Sequence, residues 1–304
     1  MAPPISIVIP TYKRPSDLER LLNSIHADIG ERDDVILIVA DNDKNGSAKG
    51  IIDTFTTQTG RKVDYAIEPE PGVSNARNNA MARVRSRFVL FLDDDMEVVP
   101  PYLDPIMDSA KTLGTAITFA PAIAKLPKGV EAWEPWLAPL FSRVFDGPTR
   151  QVTETLGTGG CLIDLEGLKL PTPVFDPALN EVGGEDDAFF AHIMAQGGTV
   201  GWCAETKAWE HVPPHRATPS YVWSRHFAFG QTPSRDAADQ NALRVVKWMG
   251  VGAVQALVHA PLYAIKRLFR RPSSIGHLGR MAQGVGKVLW WDGLSPRLYG
   301  RKAR

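Results

Sequence analysis

Cysteine is scarce: Cys161 and Cys203 are the only two in 304 residues. Two cysteines cannot build the disulfide framework of a small secreted scaffold, and the number fits a reducing compartment. The opening MAPPISIVIP lacks the basic segment, long apolar stretch and cleavage site of a secretory leader, so a cytoplasmic location is expected. No glycine pattern of the dinucleotide or P-loop kind follows the first apolar run, which counts against a dehydrogenase or an ATPase. Neither an internal repeat nor a long disordered linker interrupts the chain. The length implies about one or two domains with an ample core. Net charge is absent as well, with 34 basic residues against 34 acidic ones.

That balance conceals an asymmetry. From Lys266 to Arg304 there are ten Lys or Arg and one acid, Asp292, whereas the other 265 residues carry 24 basic and 33 acidic groups. An acidic body carries a basic tail, and the tail needs a partner. Nucleic acid is not expected to be that partner, because the body is acidic and no recognition motif is visible.

The apolar pattern of the first half alternates between two periods. Ile5 to Pro10, Val35 to Ala40, Val63 to Ile67 and Phe88 to Leu92 read as short buried strands. Between them lie helical patterns: Leu18, Leu21, Leu22 and Ile25 after a capping-box spacing of Ser16 and Glu19, then Ile51, Ile52 and Phe55, then Asn75 to Val84. Strand and helix in this order predict an α/β fold with a mostly parallel sheet flanked by helices, whose ligands bind beyond the carboxyl ends of the strands. Further on, Gly114 to Ile123 reads as a strand, Glu185 to Gln196 as a helix and Thr199 to Cys203 as a strand.

The carboxylates fall where such a sheet places its cleft. FLDDDMEVVP runs an apolar strand into Asp93, Asp94 and Asp95. Like charges this close repel, so a positive group must compensate them. Hard oxygen ligands suit Mg²⁺ or Mn²⁺ with phosphate completing the shell, and a solvated acidic turn is the alternative. Glu185, Asp186 and Asp187 begin a helix, where they serve either as caps or, in one case, as a general base. His211, just after a candidate strand, is either a third ligand to the same ion or structural. Pro10, Thr11 and Tyr12 end the first strand, where the Tyr ring can stack on a base or pack on a loop. Arg77, beside Asn75 and Asn78, can face a phosphate or a ribose.

Together these residues resemble an inverting glycosyltransferase of family 2, with the GT-A fold. ISIVIPTYKRP (5–15) resembles the opening strand and nucleotide loop of that family, VADND (39–43) its second-strand end, GVSNARNNA (72–80) the stretch before the metal strand, FLDDD its Asp-any-Asp motif, and GGEDDAFF (183–190) the segment with the catalytic base. The resemblance implies a nucleoside diphosphate sugar donor, a UDP-sugar favoured, held by Pro10, Thr11, Tyr12, Arg14, Asp41, Asp43, Arg77, Asp93 and Asp94. It implies Mg²⁺ or Mn²⁺ on Asp95 and Asp93, with His211 as a further ligand. Asp186 becomes the base, and Glu185 helps to position the acceptor. Trp133, Trp136, Trp209 and Arg216 are candidates for the acceptor side. The look is closest to bacterial exopolysaccharide or lipid-linked glycan transferases. The Gln-any-any-Arg-Trp motif and multiple spans of processive synthases are missing, which favours single transfer. A nucleotidyltransferase and a non-catalytic sugar-nucleotide or glycan-binding module are the rival readings.

The expected division is a GT-A catalytic domain over 1–235, with a nucleotide-sugar half over 1–112 and an acceptor half over 113–235. A helical, basic extension over 236–304 follows. Trp248 to Ile265 is eighteen residues without a charge, and Asn241 to Arg271 reads as one long helix or as two broken near Pro261. Basic and Trp flanks favour peripheral contact with the inner leaflet of the cytoplasmic membrane. Gly252, Gln255, His259 and Pro261 argue against a simple span. A polyprenyl-diphosphate-linked glycan acceptor would account for such a tail.

Overall fold

A computed structural model describes residues 5–180 and 183–296. β1 (Ile5–Thr11) is free of charge and rich in β-branched residues. It buries Ile5, Ile7 and Ile9 in one hydrophobic cluster and Val8 in another. A strand buried on both faces belongs inside a sheet covered on both sides. α1 (Pro15–Ile29) buries Leu18, Leu21, Leu22, Ile25 and Ile29 at helical spacing. Its start corrects the capping-box expectation. Pro15 opens the helix, Arg14 is the cap residue, and no side chain caps it, since proline presets the first-turn backbone and has no amide to be satisfied. β2 (Val35–Asp41), α2 (Lys49–Thr59), β3 (Val63–Ile67), α3 (Val73–Met81) and β4 (Phe88–Phe91) complete the alternation.

The later strands are β5 (Met96–Val99), β6 (Ile117–Phe119), β7 (Ala122–Lys125), β8 (Arg150–Val152), β9 (Cys161–Asp164), β10 (Val200–Trp202) and β11 (Lys207–His211). The larger sheet has the order β3-β2-β1-β4-β9-β6-β10-β8. Its parallel pairs are β1 with β2 and β4, β2 with β3, and β6 with β10. β9 runs antiparallel between β4 and β6, and β8 antiparallel to β10, so the sheet is mostly parallel, as expected. The chain order reverses at β1, which has β2 on one side and β4 on the other. That is a topological switch point, and the carboxyl ends of its strands open a crevice. The segment 114–123, expected as one strand, is split into β6 and β7 with Pro121 between them, because proline cannot continue the amide ladder. β7 joins a second sheet of order β5-β11-β7.

The chain forms two compact units, one of residues up to 124 with 142–211, the other of 125–141 with the residues from 212 onward. The first also holds α4 (Leu103–Leu113). The second contains α5 (Glu134–Leu137). α6 (Glu185–Ala195) returns to the first unit, and α7 (Pro219–Ala238), α8 (Ala242–Leu268) and α9 (Ser274–Val288) belong to the second. α8 passes through Pro261 as one helix. Small residues let these last helices touch backbone to backbone. A Cβ on Gly230 of α7 would lie 2.1 Å from the Gln283 carbonyl oxygen of α9, and one on Gly252 of α8 would lie 2.5 Å from that of Gly284. Residue 235, the expected end of the catalytic domain, lies inside α7. The end of the basic tail, with Arg297, Arg301, Lys302 and Arg304, lies outside the described residues.

Candidate active site

The three aspartates at the end of β4 meet three arginines. Asp94 is buried and accepts hydrogen bonds from the Thr11 hydroxyl at 2.9 Å, the Tyr12 amide at 3.4 Å and Arg14 at 3.0 Å. It therefore ties the end of β1 to the end of β4, the two strands flanking the switch point. Burial pushes the Asp94 carboxyl up to about 7, against the pull of Arg14. The same guanidinium reaches Asp95 at 3.0 Å. Burial acts to lower Arg14, but the two aspartates prevail and raise it.

Arg77 is the second compensating charge. It projects from α3, is buried, and lies against the Phe175 ring. Its Nη1 donates to Glu185 at 2.9 Å and to Asp186 at 2.6 Å, and its Nη2 lies 3.6 Å from Asp93. Burial opposes its charge, while Asp186, Asp93 and Glu185 together raise its pKa. The acids arrive there because α6 is anchored by aromatics. Phe189 packs edge-on against Phe91, the last residue of β4, and against Phe175. Gly183 and Gly184 take left-handed backbone just before the helix, which side-chain-bearing residues adopt at a cost. Thr158 completes the knot, its amide donating to Asp186 at 3.0 Å.

Arg143 is the third. Residue 143 is held by a reciprocal backbone bridge to Ala122, and its guanidinium pairs with Glu210 at 2.7 Å and donates to the Gly159 carbonyl at 3.2 Å. Burial pushes Glu210 up to about 7. Arg143 opposes that rise, and Asp95 and Asp93 add to it. Glu210 and His211 reach the site because β11 pairs antiparallel with β5, which starts just after Asp95. The His211 amide donates to the Asp95 carbonyl at 2.9 Å, and its ring Nε2 lies 2.6 Å from Glu97.

The other expected residues divide. Tyr12 is about half exposed, with Lys13 over its ring. Asp41 is fully buried and accepts from the Ala48 amide at 2.7 Å, the Tyr65 hydroxyl at 2.9 Å and the Asp43 amide at 3.0 Å. Its carboxylate shapes the loop after β2. Asp43 accepts from the Asn45 amide in the same loop. Pro10 pairs with Ala40 inside the sheet. Trp209 lies on β11 with Lys207 over its ring. Trp133, Trp136 and Arg216 belong to the second unit. Trp136 packs there on Gly276 of α9, where a Cβ would meet its indole at 2.3 Å.

A family model described as "Glycosyl transferase family 2" matches residues 6–163, from β1 through β9. The chain belongs to that family. It is therefore a glycosyltransferase. Among curated proteins it is similar to the succinoglycan biosynthesis protein ExoM of Rhizobium meliloti (strain 1021), 29% identical over 236 residues, which cover 78% of this chain and 76% of the relative. It is also similar to the GalNAc(5)-diNAcBac-PP-undecaprenol beta-1,3-glucosyltransferase of Campylobacter jejuni, 27% identical over 110 residues, covering 36% of this chain and 35% of that one. Among solved structures it resembles S. aureus TarS 1–349 in complex with UDP, with a TM-score of 0.53 at 16% identity, covering 95% of this chain and 92% of that chain. The complex of the same protein with UDP-GlcNAc gives a TM-score of 0.53 at 15% identity, covering 94% and 90%. At that identity the likeness speaks for the fold alone, and the fold is the expected GT-A.

In this family 2 glycosyltransferase the donor chemistry of Asp93 and Asp95, two carboxylates at a strand end, fits a hard divalent ion. Among the described residues there is no group of three His, Cys, Asp or Glu placed to hold a metal ion. Glu97 lies on Nε2 of His211, a carboxylate–histidine pairing of the kind that fixes the orientation and tautomer of an imidazole. Arg143, Glu210 and Glu97 were not singled out in the sequence. KAWEH (207–211) has no strict apolar–polar alternation to mark β11, and its pairing with β5 is not written in either segment alone.

Gly159 exposes how tightly the cluster is built. A Cβ there would lie 2.4 Å from Asp93 Oδ2 and 2.7 Å from Arg143 Nη2. Gly159→Ala is expected to displace both groups and lower kcat/KM for glycosyl transfer by about 100-fold. Thermal stability should change little, because the displaced atoms are side-chain ends. Steady-state kinetics beside a thermal melt checks this, and wild-type turnover would refute it.

Proposed function

We propose that the protein transfers a sugar, with inversion, from a nucleoside diphosphate sugar, a UDP-sugar favoured, to a hydroxyl of a lipid-linked glycan in bacterial exopolysaccharide or surface-glycan synthesis. The observation that carries this reading is Arg77, which joins Asp93 at the end of β4 to Glu185 and Asp186 at the start of α6. In this reading the donor-side and acceptor-side carboxylates are gathered around that one guanidinium. The names of the relatives, one a succinoglycan biosynthesis protein and one a glucosyltransferase named for an undecaprenol-linked glycan, support the acceptor class. The UDP and UDP-GlcNAc complexes of TarS support the donor class.

In this reading the half-exposed Tyr12 ring stacks on the base. Asp94 keeps the nucleotide loop in place through Thr11, Tyr12 and Arg14. Asp93, Asp95 and His211 would hold Mg²⁺ or Mn²⁺, which when bound would neutralise charge on the leaving diphosphate. Asp186, oriented by Arg77 and the Thr158 amide, accepts the proton of the acceptor hydroxyl. The freed oxygen attacks the anomeric carbon on the face opposite the diphosphate, and the bond from that carbon to the phosphate oxygen breaks. Glu185, on the same guanidinium, positions the acceptor. The enzyme works at the cytoplasmic face of the membrane, where such acceptors are held.

The test is donor hydrolysis and nucleotide release over a panel of UDP-, GDP- and dTDP-sugars, with Mn²⁺ or with EDTA. One metal-dependent donor is expected, and Asp95→Asn should remove the metal dependence together with roughly 10²-fold or more of the rate. Activity unchanged by EDTA and by that variant would overturn the metal assignment. Silence over the whole panel, with the lipid-linked acceptor present, would overturn the donor class.

A further inference from the structure

We infer that α8 is a membrane-docking helix whose outward face lies flat in the interface of an anionic lipid bilayer while its inward face stays packed on α9. The inference deepens the proposed reading by naming the surface through which the enzyme meets a lipid-held acceptor, and it rests on that reading only for this purpose.

α8 is 27 residues long, about 40 Å of helix. Its inward side is settled by contacts. Gly252 meets the backbone of Gly284, the Gln255 amide donates to the Arg280 carbonyl at 2.8 Å, and Lys287 Nζ donates to the Gln255 side chain at 2.9 Å. The opposite side is apolar and bare. Leu243, Val246, Val254, Leu257, Ile265 and Leu268, spaced along one helical face, are between 53% and 77% exposed, and among the described residues nothing covers them. A continuous stripe of this length is not an ordinary protein surface.

Charge selects the occupant. The segment from Gln240 to Trp291 contains eight Lys or Arg and no Asp or Glu. Arg244 and Lys247 stand near the start of α8, Lys266 and Arg267 near its end, and Arg270 and Arg271 just beyond. An apolar stripe with cations at both ends matches acyl chains below anionic headgroups. A second copy of the same helix would bring like charges together instead. Lying flat is favoured over crossing by the inward side. A span would carry Gln255, the buried Lys287 amine and the His259–His277 pair, whose Nδ1 atoms are 2.9 Å apart, into hydrocarbon.

The experiment is flotation of the full chain with vesicles of phosphatidylcholine alone or mixed with phosphatidylglycerol. The wild type should float with the anionic vesicles, less so at high salt, and should be released by alkaline carbonate. Leu257→Glu, at a position 74% exposed and so without consequence for folding, should weaken partition by roughly tenfold or more, with circular dichroism confirming the fold. Equal flotation of the variant, no flotation of the wild type, or carbonate-resistant retention as for a spanning helix would each overturn the inference. So would a dimer, seen by light scattering, that Leu257→Glu dissolves. None of these readouts uses sugar transfer, so a failure here and a failure of the donor panel are told apart.

Discussion

Asp186→Asn should leave the protein folded and able to bind its donor, yet lower kcat for sugar transfer by roughly 10²–10⁴-fold. The asparagine carbonyl can still accept the Thr158 amide, and the remaining carboxylates, Glu185 and Asp93, still face Arg77. On the proposed reading, what disappears is the group that takes the acceptor proton in the transition state. The loss should therefore fall on kcat, with donor KM close to that of the wild type. Steady-state kinetics and a nucleotide titration of the same preparation check both halves. A variant with wild-type kcat would move the base role to Glu185, and Glu185→Gln would then show the larger loss.

Arg77→Ala should be the most damaging single change in the site, to stability as well as to activity. The guanidinium is buried among Glu185, Asp186 and Asp93. Its removal leaves three carboxylates facing one another without compensation, and breaking buried pairs of this kind costs about 3–5 kcal/mol. Arg77→Lys should recover only part of the loss, since an ammonium is a point charge that cannot present two nitrogens to separate acids. Urea unfolding of both variants, with transfer kinetics on whatever remains folded, tests this. Wild-type stability in Arg77→Ala would mean that the acids are held apart by other contacts, and the reading in which one guanidinium gathers them would fail with it.

The sites of these two predictions were not equally legible. The run Asp93 to Asp95 and the pair Glu185 and Asp186 could be picked out directly, because acids crowded at the end of an apolar strand or the start of a helix are a local pattern. That a positive charge must answer them was legible too. Arg14 and Arg77, however, were expected to face the nucleotide or its phosphates, and in the folded protein both are engaged by the acids. Asp41, expected at the base, is enclosed by the amide of Ala48 and the hydroxyl of Tyr65. Burial of that kind depends on how the loop after β2 closes, which no spacing reveals.

The alternation of periods in the first ninety or so residues sufficed by itself to define β1 to β4 and the helices between them, and so the strand ends beyond which sheets of this kind bind their ligands. It sufficed because burial of one helix face or of both strand faces is written in neighbouring residues. The tertiary structure decided the order of the later strands, with β9 inserted antiparallel between β4 and β6, and it decided which charge meets which. Arg14 finds Asp94 across 80 positions, and Arg77 finds Glu185 and Asp186 across 108 and 109. Attraction between ions carries no sequence spacing. A guanidinium pairs with whichever carboxylate the packing of apolar elements brings within reach, and here Phe91, Phe175 and Phe189 make that choice.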